Sequence, residues 1–134
     1  MLSAVLRDIS KLCLKKMTPE FFVESLERHC RDGAVEDCIA NFMNPPGRKP
    51  AEALVRLSNW FKSLSEDDQA MVALAMRESA DATLFGVLCV IDGVRVIEDE
   101  PEKSEFELSA SRHGIRSVIS PNASHLHDLL GDEA

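Results

Sequence analysis

A chain of 134 residues, 45% of them hydrophobic, is long enough to bury an ordinary core without a metal or disulfide staple. Its formal net charge of −8 argues against a nucleic-acid partner, which needs a basic face to displace counterions, and favours a cationic one. One tryptophan and no tyrosine argue against a typical aromatic-rich binding surface.

The N-terminal sequence MLSAVLRDISKLCLKKM has no continuous apolar run, so it does not read as a secretory signal. Leu2, Val5, Leu6, Ile9, Leu12 and Cys13 form one helical stripe, with Arg7, Lys11, Lys15 and Lys16 beside it. That pattern predicts a first helix packed on the domain, in preference to an acid-poor organellar presequence.

In MTPEFFVESLERHCRDG, Thr18 is placed as N-cap, Pro19 at the first helical position and Gly33 just past the end. Glu24–Arg28 and Glu27–Arg31 are spaced as supporting pairs on that helix. Val35, Cys38, Ile39 and Phe42 repeat the apolar spacing in a third short helix. NPPGRKP, residues 44–50, cannot continue it and is read as a loop. Pro50 then opens a helix with a core seam of Leu54, Leu57, Phe61 and Leu64, bordered by Trp60.

Ser65 caps the next segment, whose first turn holds Glu66, Asp67 and Asp68, the right charge for a helix N-terminus. The same segment runs into the most apolar stretch of the chain, DATLFGVLCVIDGVRVIED. Its uncharged run, residues 82–91, is about half of the ~20 residues a membrane span requires. A β-hairpin turning at Asp92-Gly93 is the serious rival, because Asp-Gly between β-branched residues is a strong hairpin signal. Continuity favours a helix: no proline interrupts residues 69–92, and Gly93 fits the left-handed position past a helix end. A helix apolar on nearly all sides belongs at the centre of a domain, with a break at residues 79–81 allowed for.

Residues 98–107 carry six acids and one lysine and read as a solvated connector. FELSAS and IRSVIS then form a hairpin around a three-residue turn, Arg112 to Gly114. SPNASHLHDLLG predicts a short terminal helix. The expected architecture is α+β and mainly α: a single domain, 1–134, built as a compact helical part (1–93) around a central buried helix. An acidic connector (98–105), a small C-terminal β-hairpin (106–119) and a terminal helix (121–130) complete it.

DATLFGVLCVIDGVRVIED, the acidic connector and LHDLL resemble a group of small uncharacterised bacterial proteins sharing the pattern LFGxLCVxDGVxxIED. The resemblance covers roughly the C-terminal 60 residues and rests on apolar packing. It implies a cytoplasmic bacterial setting and carries no activity.

The chemistry is sparse. Cys13, Cys30, Cys38 and Cys89 form no C-x-x-C pair and are expected to be buried free thiols in a reducing compartment. His29 has no second Cys/His pair at zinc spacing. His125 and His127 would diverge on a helix and converge on an extended segment, where Asp128 would be a third ligand. No nucleophile elbow or catalytic cysteine context is present. Arg48 and Lys49 beside a single glycine do not make a P-loop.

Accordingly no catalytic, cofactor or metal residue is assigned, and the reading leans away from an enzyme. The leading expectation is a cytoplasmic protein-interaction module of inhibitor or immunity type, binding a basic partner through Glu98, Asp99, Glu100 and Glu102. No nucleic acid or membrane is expected. The alternative is a small enzyme or ligand-binding domain whose polar pocket is lined by Arg77, Asp81, Asp92 and Arg95 beside the central helix. A third possibility is a homo-oligomer burying the first helix or Met71, Val72 and Met76.

Overall fold

The computed structural model describes residues 16–131. The apolar stripe expected to form a first helix lies outside those residues. Thr18 caps the first described helix, α1 (Pro19–Leu26), accepting a hydrogen bond from the Phe21 N–H at 3.1 Å. The expected stop at Gly33 does not occur. A π-helical turn, Glu27–Asp32, carries the chain straight into α2 (Gly33–Met43). Glycine ends a helix when it turns left-handed, but Gly33 keeps an ordinary helical φ of −59° and is followed by Ala34, the residue most favourable to a helix. The wider turn also changes the phase of the helix, and Arg31 is buried there.

The proline loop is present between α2 and α3 (Glu52–Ser63). In α3 the buried side is carried by Phe61 and Ser58, whereas Leu57 and Trp60 face outward. The expected seam is therefore rotated. Ser58 donates its hydroxyl to the Phe42 carbonyl, and the Phe42 and Phe61 rings stand 5.5 Å apart, so the small polar residue lets α2 and α3 approach closely.

The apolar stretch is helical. α4 (Glu66–Ile91) runs 26 residues without a break at 79–81. Ser65 caps it, accepting from the Asp68 N–H at 3.1 Å. At the other end Gly93 has φ +75°, the Gly93 N–H bonds the Val90 carbonyl at 3.1 Å, and the Val94 N–H reaches back to Cys89 at 3.0 Å. That pair of bonds is a Schellman cap, and it is why Asp-Gly ends a helix here instead of turning a hairpin.

β1 (Leu108–Arg112) and β2 (Ile115–Ser120) form an antiparallel pair. Arg112 pairs with Ile115, so the turn has two residues, not three: His113 at φ 50° and Gly114 at φ 75°. Two consecutive left-handed residues match the strand twist and suit this tighter turn. The expected terminal helix shrinks to a 3-10 turn, His127–Leu129. Its backbone donors are satisfied by a side chain from the end of α4, and the chain does not propagate a helix.

Val23 of α1, Leu88 of α4, Ile119 of β2 and Leu126 beside the 3-10 turn form the core. Four segments thus meet at the C-terminal end of α4, where Leu88 is fully buried. The Glu27 carboxylate ties down the chain end, accepting from the Gly131 N–H at 2.7 Å.

Candidate functional site

Among the described residues, apolar surface continuous with that core is left uncovered. A groove of about 670 Å³ runs between α1, the π-helical turn and α2 on one side and α4 on the other. One wall includes Leu26, Cys30, Val35 and Cys38; the other includes Met76, Ala80, Leu84 and Val87. The hollow follows from side-chain size, since Ala34, Ser79 and Ala80 cannot fill the space between the helices. Residues 76–91 span about 22 Å at ~1.5 Å rise per residue, so the groove is elongated along the helix. Val87 is 51% exposed on its wall.

Cys30 and Cys38 are exposed in the groove, contrary to the expected burial of the thiols; Cys89 is buried as expected, and Cys13 lies outside the described residues. Residues eight apart lie near one face of a helix, and here that face lines the groove.

Partway along, the groove is polar. The Arg31 side chain is 4% exposed, and its guanidinium lies 2.9 Å from Asp32 Oδ1, 2.9 Å from Asp81 Oδ1 and 3.6 Å from Glu27 Oε1. Arg77 Nε stands 3.8 Å from Asp32 Oδ1. The hydrogen bond to Asp32 raises the Arg31 pKa against the opposing effect of burial, and Arg31 in turn holds the Asp32 carboxyl below its ordinary value. Three carboxylates face two guanidinium groups, leaving this part of the groove border acidic.

A second buried charge sits at the C-terminal end of α4. The Asp92 side chain is 2% exposed. Its carboxylate accepts from the Leu126 N–H at 3.0 Å, the His127 N–H at 2.9 Å and the Ser120 hydroxyl at 3.4 Å, and it lies 2.7 Å from His127 Nδ1. Burial pushes the Asp92 pKa up, but the two backbone donors and the His127 ring outweigh it, and the carboxyl titrates below its usual range. The His127 ring packs edge-on against Phe85 at 5.7 Å and lies 5.3 Å from the His125 ring.

The four residues expected to line one pocket are therefore divided. Arg77 and Asp81 belong to the Arg31 cluster. Asp92 lies eleven residues further along, about 16 Å away by helical rise. The Arg95 guanidinium covers Gly86, occupying the space a Cβ there would need. In the acidic connector, Glu98 is turned inward on its own loop, accepting from the Ser104 N–H at 2.9 Å and the Ser104 hydroxyl at 2.7 Å, which lowers its pKa. Asp99, Glu100 and Glu102 remain exposed.

Sequence reasoning missed Arg31 as a buried hub because Glu27–Arg31 reads as a surface pair; only the π-helical turn makes it internal. It also missed the pairing of Asp92 with His127, which are 35 residues apart in the chain. Among the described residues no helix is long and apolar enough to cross a membrane. Comparison with protein-family models, with curated proteins and with solved structures returned no match.

Proposed function

We propose that the protein is a non-enzymatic interaction module that takes a basic, amphipathic helix of a partner protein into the groove between α1–α2 and α4. The observation that carries this reading is the groove itself: long, apolar, walled by helices and bordered partway along by Glu27, Asp32 and Asp81, the carboxylates around Arg31. A helix about four turns long would lay its apolar stripe between the walls, the recognition mode in which i, i+3, i+4 and i+7 residues anchor a groove. The net charge of −8 and the exposed Asp99, Glu100 and Glu102 would speed encounter with a cationic partner and lose that advantage in salt. The ligand-pocket alternative has less support, because Arg77 and Asp81 stand apart from Asp92 and Arg95.

The test uses two synthetic helical peptides of about 16 residues, each with one leucine face, one lysine-rich and one glutamate-rich on the opposite face. Titration of the lysine peptide into the isotopically labelled full chain is expected to shift the amides of Ala34, Cys38, Ala80 and Thr83. Equal binding of the glutamate peptide, or shifts confined to other surfaces, overturns the reading. If a full chain carrying Leu6→Glu and Ile9→Glu binds the lysine peptide far more tightly than the unaltered chain, the groove's occupant is the N-terminal segment of this chain and the partner assignment fails.

A further inference from the structure

We propose that Asp92, His125 and His127 bind a single divalent transition-metal ion, zinc foremost. Each of the three offers a ligand atom, and these atoms lie within 4.8 Å of one another. Two imidazole nitrogens and one carboxylate oxygen are a borderline donor set that suits zinc and its first-row neighbours; calcium and magnesium prefer six or more oxygens. The site is independent of the groove reading and lies at the C-terminal end of α4, about 16 Å along the helix from the Asp81 that Arg31 meets.

The convergence is a product of the fold. His125 and His127 would point apart on a continuous α-helix. The stretch before His127 is not helical, so both rings reach the same side and meet a carboxylate delivered by the last residue of the α4 cap. Asp92 is already held in place by the Leu126 and His127 N–H groups and the Ser120 hydroxyl, the kind of outer support that fixes a ligand before the ion arrives.

Binding requires a small, definable rearrangement. The ion takes the place of the proton that His127 Nδ1 shares with Asp92 at 2.7 Å. Two ligands about 2.1 Å from a tetrahedral zinc are roughly 3.4 Å apart, so the pair opens by about 0.7 Å. The ring proton moves to His127 Nε2, and Asp128 Oδ1, 3.4 Å from that nitrogen, accepts it. Asp128 thus serves as the outer carboxylate that orients a ligating histidine, not as the third ligand its sequence position suggests. His125 is exposed, which leaves room for a water in the fourth position. The ion would staple the C-terminal segment to the end of α4.

The experiment is titration of the full chain with zinc alone, followed by calorimetry and thermal denaturation, and with cobalt(II) as a spectroscopic substitute. The expected result is saturable binding of a single ion, a raised Tm, and cobalt bands in the visible without thiolate charge transfer. His125→Ala is the decisive variant, because an exposed side chain can be removed without disturbing the core; it is expected to weaken binding on the order of 100-fold, and Asp128→Asn about 10-fold. Cys30→Ser with Cys38→Ser is expected to leave affinity unchanged. No saturable binding, unaltered affinity in His125→Ala, or a thiolate signature with cobalt overturns the proposal.

Discussion

The long helix meets a buried charge at each of two places, and the chain satisfies them in opposite ways. Arg31 packs against the middle of α4 and is met by carboxylates that remain wet: the Asp81 side chain is 40% exposed. Asp92 at the end of α4 is met chiefly by neutral backbone donors and one imidazole, all close to the core that Leu126 anchors. A cation balanced by exposed acids feels solvent and salt through its partners. An anion balanced by fixed N–H dipoles is insulated from both. The first arrangement would suit the border of the proposed docking groove; the second suits a joint that holds the hairpin and the C-terminal segment to the helix.

The largest expected effect comes from breaking the joint. Asp92→Ala leaves the Leu126 and His127 N–H groups buried without acceptors, at about 1–3 kcal/mol each, so a loss of roughly 3–5 kcal/mol is expected in urea denaturation. Leu88→Ala, in the core beside it, is expected to cost a similar 2–5 kcal/mol, approximately, through cavity formation. Asp81→Asn tests the other charge. Because Asp81 is more than a third exposed and Arg31 keeps Asp32, about 1 kcal/mol is expected, and the difference should shrink as salt is raised. If Asp81→Asn proves as costly as Asp92→Ala, or equally insensitive to salt, the contrast between the two charges fails.

Acid sharpens the same comparison. Asp92 and Asp32 both have folded pKa values below the ordinary carboxylate value. A depressed folded pKa means that the contribution is complete above the unfolded value of about 3.9 and is lost as pH falls through the lower folded value. Wild-type stability is therefore expected to fall away below about pH 4. In Asp92→Ala that acid limb should be flatter, since the protonation of Asp92 no longer carries a penalty. Denaturation midpoints across a pH series measure both.

How far the sequence foretold the fold depends on the range of the determining contacts. Thr18, Ser65 and Gly93 act within a few residues of themselves, and the caps they predict are present. The choice of helix over hairpin at residues 84–91 was legible for the same reason, as was the C-terminal hairpin. Gly33 was misread because a glycine stops a helix only when the surroundings reward a positive φ, and here the π-helical turn carries the chain onward. The terminal helix was misread because the carboxylate that takes its first N–H groups comes from Asp92, 34 and 35 residues earlier. The groove was invisible in the same way: Ala34 and Ala80 are ordinary helix formers in the sequence, and only the packing of α2 beside α4 turns their smallness into a hollow.

The smallest effect on stability and the most direct test of function come from one substitution. Val87 is half exposed on the groove wall, so Val87→Glu should change the denaturation midpoint by less than about 0.5 kcal/mol. Its affinity for the lysine-rich helical peptide, measured beside that of the unaltered chain, should fall at least tenfold, about 1.4 kcal/mol. Equal affinity in the two proteins would contradict the claim that this groove is the binding surface.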